Sequence, residues 1–233
     1  DAHHRLSVPA LAGLLQEVAW EHSVSRGVDL PELLKYGLSW VLSRMRIEVE
    51  TLPVYRQTVR LDTWVSAIDR YFYYREFRLT DAVSGQLLLR ASSVWGVLDV
   101  ARRRVVPVPD FILRQTPIHH DTPPVPPSGG KLRSFGEAAF SASIAVTWPL
   151  LDANQHVNNT QYIAWLVQAL PAEWLQHHTL TQLDVQFRAE ATLGDHLFSE
   201  AVSESPTGFL HRVRRPSGQE LVQARSGWRQ LPD

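Results

Sequence analysis

Apolar residues recur at helical spacing twice along this chain. In "ALAGLLQEVAWEHS", Leu11, Leu14, Leu15 and Val18 fall at i, i+3, i+4 and i+7, one face of a helix with 3.6 residues per turn. In "YIAWLVQAL", Ile163, Leu166, Val167 and Leu170 do the same. Each predicted helix is followed by runs in which apolar and polar residues tend to alternate, as a strand with one buried face requires. After the first come "WVLSRMRIEVETL", "QTVRLDTWVSAI", "YFYYREFRLTD" and "QLLLRASSVWGVLDV"; after the second come "TQLDVQFRAEA", "HLFSEAVSE", "GFLHRVRRP" and "QELVQARSGWRQL". Turn formers stand between them at Asp81 to Gly85, Pro206 to Gly208 and Pro216 to Gly218. A further strand, "AAFSASIAVTWPLL", precedes the second helix. Setting Asp1 against Asp152 leaves the first half without that strand, which leads us to expect more residues ahead of Asp1.

The stretch "RQTPIHHDTPPVPPSGGKLRS" (114–134) favours extended or irregular backbone through its prolines and glycines. It predicts an N-terminal half over 1–113, a linker over 114–134 and a C-terminal half over 135–233. The halves share a repeat. "SGQLLLRASSVW" (84–95) and "SGQELVQARSGW" (217–228) agree at seven of twelve positions without a gap, too many for chance. The predicted fold is α+β, two units in tandem. In each, an antiparallel sheet buries the apolar stripe of one helix. Joining the two sheets edge to edge leaves fewer open edges.

With 233 residues, 44% of them hydrophobic, the chain can bury a sizeable core. A formal net charge of −1 gives no support to nucleic-acid binding. The absence of cysteine excludes a thiol nucleophile, a disulfide and a Cys-ligated zinc site. No run reaches the 18–20 apolar residues of a membrane span, and "DAHHRLSVPALAG" lacks the pattern of a signal peptide. The expectation is a cytoplasmic protein. His3–His4, His119–His120 and His177–His178 lack a matched carboxylate and read as solvated, so no metal is expected. Trp40, Trp64, Trp95, Trp148, Trp165 and Trp228 read mostly as core.

The candidate chemistry gathers in "LLDANQHVNNTQYIAWL" (150–166), where Asp152, Asn154, His156, Asn158 and Asn159 stand at the mouth of the second helix. Asn158 or Asn159 can cap that helix. The loop then aims side chains to where the first helical N–H groups point outward, a setting suited to an oxyanion.

These residues resemble the active-site segment of the plant and bacterial acyl-acyl carrier protein (acyl-ACP) thioesterases. "LLQEVAWEH", "WVLSRMRIEV", "VRLDTWV", "RASSVWGVLD" and "LDVQFRAEATLGDHL" extend the likeness over nearly the whole chain. The resemblance implies a double hotdog fold and hydrolysis of fatty acyl-ACP to free fatty acid, ending chain elongation, with no cofactor. It carries the catalytic Asp, Asn, His and Glu onto Asp152, Asn154, His156 and Glu190. Many plant members have Cys after that Glu; here Ala191 stands there, so a Cys–His mechanism is excluded. Glu190 is the first choice as general base and His156 its rival; Asp152 can orient His156 or act on water, and Asn154 can donate to a carbonyl. The strand pattern sets Glu190 on a face with Arg188, away from Phe187, so reaching His156 requires the strand to end or bulge before it. The implied partner is acyl carrier protein bearing acyl-phosphopantetheine. That protein is acidic, which makes Arg102, Arg103, Arg104, Arg212, Arg214 and Arg215 docking candidates. An acyl-CoA thioesterase, a hotdog dehydratase and a non-catalytic acyl-binding module are the competing readings. Chain-length preference stays open, as do monomer and homodimer.

Overall fold

Val8, Leu11, Ala12, Leu15 and Ala19 form the buried stripe of α1 (Val8–Ser25) in the computed structural model, which describes residues 1–119 and 132–231. The stripe is rotated from the predicted one. Ala12 and Ala19 stand on the buried face, and Leu14 is left 42% exposed. Of the described residues, 13–119 form one unit, and 1–12 with 132–231 form another.

In the first unit α1 stops before Gly27, which has the left-handed φ of +64° that ends many helices. The Asp29 side chain then accepts from the Glu32 N–H at 3.2 Å and caps the short α2 (Leu30–Leu34). Strands β1 (Leu38–Val49), β2 (Val59–Ile68), β3 (Phe72–Asp81) and β4 (Leu87–Asp99) lie in the order β2-β3-β4-β1, all antiparallel, and the short β5 (Arg104–Val106) pairs with β4. Helix α3 (Asp110–Gln115) follows. Val28, Leu33, Val65, Tyr73, Val97, Val108 and Ile112 pack into a buried cluster, each aliphatic side chain worth roughly 1.5–3 kcal/mol. Arg75 is buried among neutral partners. Its guanidinium meets His22 Nδ1 at 2.8 Å, Thr63 Oγ1 at 3.2 Å and Ser23 Oγ at 3.3 Å, tying β3 to α1.

The second unit holds β6 (Phe140–Ala145), a single 3-10 turn (Trp148–Leu150), α4 (Asn159–Gln168), α5 (Ala172–His177), β7 (His178–Phe187), β8 (His196–Ser205), β9 (Gly208–Arg214) and β10 (Glu220–Gln230). Its antiparallel order is β7-β10-β9-β8-β6. Tyr162, Ile163, Trp165 and Leu166 are the buried residues of α4, and the Ser199 hydroxyl of β8 donates to the Trp165 carbonyl at 2.8 Å.

The repeat occupies matching elements. Gly85 and Gly218 take left-handed φ values of 73° and 90° in the turns that lead into β4 and β10. β4 lies between β1 and β3 as β10 lies between β7 and β9. Trp95 Nε1 donates to Ser93 Oγ at 2.8 Å, and Trp228 Nε1 to Ser226 Oγ at 2.8 Å. The expected linker begins too early: residues 114 and 115 end α3, and Ile118 bridges Val65 in parallel. Its span 120–131 lies outside the described residues.

His211 of β9 is buried, with Nε2 2.7 Å from Ser226 Oγ. Burial lowers its pKa to about 3. His22 is lowered to about 4, by burial first and Arg75 second. Unfolded histidines titrate near 6.5. Below that pH the unfolded chain takes up these protons and the folded chain does not. Stability is therefore full above about pH 6.5 and falls toward pH 3, by up to about 1.4 kcal/mol per pH unit for His211 and less for half-exposed His22. Urea midpoints at pH 7 and pH 5 should converge by about one proton's worth in His211→Gln; an undiminished slope in that variant would rule out a neutral His211.

Candidate active site

The loop ahead of α4 is closed by its own backbone. Leu151 bridges Val157, Asp152 N–H donates to the His156 carbonyl at 2.8 Å, and Asn158 N–H to that of Leu150 at 3.0 Å. Asp152 Oδ1 accepts from Asn154 N–H at 2.8 Å and from His156 N–H at 3.4 Å. Gln155 makes the reversal with φ at 62°, in the left-handed region. Asn158 is the N-cap of α4. Its Oδ1 accepts from Thr160 N–H at 2.9 Å and from Thr160 Oγ1 at 2.8 Å.

The second half of the site comes from the segment after β7. That strand ends at Phe187, so Glu190 stands beyond it, free of the alternation that would turn it away. The loop and this segment are joined by main chain: Val157 N–H donates to the Ala191 carbonyl at 2.9 Å, and His156 bridges Thr192. The Tyr162 hydroxyl accepts from Ala191 N–H at 2.7 Å. Arg215 Nη2 donates to the Glu190 carbonyl at 3.1 Å and to Asp195 Oδ2 at 2.7 Å, and the same Oδ2 accepts from Thr192 N–H at 2.9 Å. The result is His156 Nε2 at 3.4 Å from Glu190 Oε2, with the two side chains 24% and 36% exposed. An imidazole and a carboxylate set side by side and partly open to solvent can move protons to and from a bound substrate. Burial holds the Tyr162 phenol well above its usual pKa, so it stays neutral.

Of the residues named from the sequence, Asp152, Asn154, His156, Asn158, Asn159 and Glu190 fall in this one unit, on the loop, the start of α4 and the segment after β7. The structure separates them by task. The Asp152 oxygen holds the loop, Asn158 caps the helix, and the His156 ring meets Glu190. Among the docking candidates, Arg212 and Arg214 both pair with Glu200, and Arg215 with Asp195, all partly buried. Arg102, on an exposed turn with Asp99, and Arg103 and Arg104 beside it stay on the surface. Trp148, read as core, is 68% exposed because it sits on the 3-10 turn. Tyr162 and Asp195 are site residues that the sequence reading missed. Tyr162 lies within the very stretch singled out, but a tyrosine at a helical core spacing carries no chemical mark. Among the described residues no group of three or more His, Asp or Glu side chains is gathered to hold a metal ion.

Comparison with known proteins bears on this geometry. The N-terminal domain model of acyl-ACP thioesterase matches residues 1–116, and the C-terminal domain model matches residues 135–230. The chain belongs to the acyl-ACP thioesterase family. A chloroplastic acyl-[acyl-carrier-protein] hydrolase of Cuphea viscosissima is 31% identical over 96% of this chain and 58% of its own length. A palmitoyl-acyl carrier protein thioesterase of Gossypium hirsutum is 30% identical over 98% of this chain and 60% of its own. The chain thus spans under two thirds of these relatives. The solved 12:0-ACP thioesterase from Umbellularia californica superposes with a TM-score of 0.90 at 25% identity, covering 99% of this chain and 93% of that one. An acyl-ACP thioesterase from Bacteroides thetaiotaomicron, 23% identical with a TM-score of 0.89, shares the fold. The double hotdog fold implied by the family resemblance is therefore the fold of this family member.

The left-handed Gln155 is a position where loop geometry and site geometry meet. Gln155→Gly should leave thermal stability and turnover close to wild type, whereas β-branched Gln155→Val should lower stability by about 1–2 kcal/mol and turnover with it. Equal melting temperatures for the two variants would show that this reversal carries no strain.

Proposed function

We propose that this chain hydrolyses the thioester of fatty acyl-ACP to free fatty acid and holo-carrier. The observation that carries the reading is the 3.4 Å meeting of His156 Nε2 and Glu190 Oε2 in a chain of this family. The chain has no cysteine, and Asp152 Oδ1 is occupied by two loop N–H groups, so we take water as the nucleophile in preference to direct attack by a side chain. Glu190 takes a proton from that water as its oxygen attacks the thioester carbonyl carbon. The carbonyl oxygen becomes the oxyanion, received by the Asn154 amide and by the N–H of Asn159 at the positive end of α4; the cap already uses that of Thr160. Collapse of the tetrahedral intermediate breaks the C–S bond, and the phosphopantetheine thiolate leaves with a proton passed through His156. Asp152 keeps the loop in the shape that presents His156 and Asn154.

The acidic carrier docks on the surface arginines Arg102, Arg103 and Arg104, whose charges reach solvent. The acyl-CoA reading lacks the need for such a surface, and the two are separated by kcat/KM on one acyl chain carried by each group.

Glu190→Gln keeps the size and removes the base. It should cut kcat by roughly 10²–10⁴-fold with little change in KM; near wild-type kcat in a folded variant would pass the role to His156 or Asp152. Arg102→Glu with Arg103→Glu should raise KM for acyl-ACP and barely change hydrolysis of a short acyl-CoA. An equal effect on both substrates would refute docking at this surface.

A further inference from the structure

We infer that Tyr162 and Arg215, with Asp195 behind Arg215, are positioning residues that set the Glu190 carboxylate against His156. The inference rests on Glu190 as the base proposed above.

Glu190 lies past the end of β7, flanked by main-chain bonds: Arg188 and Ala189 N–H donate to the Leu221 carbonyl, and Ala191 and Thr192 join the seam with Val157 and His156. Side chains from three places in the unit add further anchors to residues 190–192. Arg215 grips the Glu190 carbonyl at 3.1 Å. Tyr162, from α4, receives Ala191 N–H at 2.7 Å. Asp195 receives Thr192 N–H at 2.9 Å, and its Oδ2 also takes Arg215 at 2.7 Å. Arg215 thus joins two of these anchors in one ion pair. Each contact is made to the main chain of 190–192 or to the group that holds it, and none of them uses the Glu190 carboxylate. The carboxylate Oε2 lies 3.4 Å from His156 Nε2. The Tyr162 phenol is buried with Ala191 beside it, where an unmade N–H bond would be costly and the bond that forms is rigid. Tyr162 stands on the helix that Asn158 caps. One helix therefore orients both sides of the pair: its start closes the His156 loop, and its first turn pins the Glu190 segment. A shift of about 1 Å in either segment would spoil the geometry of proton transfer, a displacement that can cost about 100-fold in rate.

The test is a double-mutant cycle on acyl-ACP hydrolysis. Tyr162→Phe and Arg215→Met should each lower kcat by about 10- to 100-fold, with KM within about twofold. Arg215→Lys, which can still reach Asp195 but lacks the fork that spans both acceptors, should recover part of that loss. In a Glu190→Gln background the same substitutions should lower the residual kcat by less than about twofold, because the group they position is gone. A merely structural role predicts the full loss in both backgrounds, and that result overturns the inference. If Glu190→Gln itself turns over like wild type, it is the assignment of the base that fails. If Glu190→Gln is impaired and Tyr162→Phe and Arg215→Lys are folded and fully active, the base stands and the positioning role falls. Circular dichroism and thermal unfolding establish folding of each variant; should Arg215→Met not fold, the cycle is read from Tyr162→Phe and Arg215→Lys.

Discussion

A main-chain hydrogen bond, from Val157 N–H to the Ala191 carbonyl, is the link on which the site depends. His156 and Glu190 are distant in sequence and belong to segments that are not strands. The bond, with the adjoining His156–Thr192 bridge, makes those segments a two-residue antiparallel seam. Val157 and Ala191 are buried, so the bond lies where water competes weakly and its geometry is well determined. Because it is made by backbone, it does not depend on which side chain stands at 191. The residues on either side of it, His156 and Glu190, are thereby brought together with the seam as a common reference.

The polar residues crowded into 152–159 are largely occupied in construction. Asp152 Oδ1 satisfies two loop N–H groups, and Asn158 Oδ1 satisfies the N–H and the hydroxyl of Thr160. A loop that enters an apolar helix has several orphan donors to satisfy within a few residues. Short side chains with oxygen acceptors do this locally, and His156 carries the one imidazole of the loop. This is why an acid, an imidazole and four amides sit at the mouth of a greasy helix.

Much of this was legible in the sequence, for identifiable reasons. The two helices and eight longer strands announced themselves by period, and the repeat by identity at Ser84, Gly85, Gln86 and their counterparts, where left-handed glycines and a Ser–Trp hydrogen bond leave little choice of residue. Glu190 was reached through the family resemblance; alternation added only that a residue on that face could reach the site if the strand stopped before it, and it does. What stayed hidden was side-chain pairing over long sequence distance. An arginine that bonds Asp195 and the Glu190 carbonyl reads, in "HRVRRP", like any surface charge. Leu14 misled for a different reason, since leucine and alanine compete for a buried helical face and close packing favoured the alanines. Short helices are set locally, α2 by the Asp29 cap with Pro31 in its first turn and α5 by Pro171 ahead of it, with too few residues for a period to show.

The repeat has a consequence for how such a chain evolves. At the register position opposite Ala91 the first unit has Phe77, and opposite Ala224 the second has His211; opposite Ser93 stands Arg75, and opposite Ser226 stands Phe209. A protein made of two identical copies must find one residue that suits both settings at each such place. A tandem chain is released from that compromise. Its halves can keep the shared scaffold bonds while one buries Arg75 where the other has Phe209, and the other buries His211 where the first has Phe77. Duplication here is less a doubling of function than a licence for the two copies to become unlike.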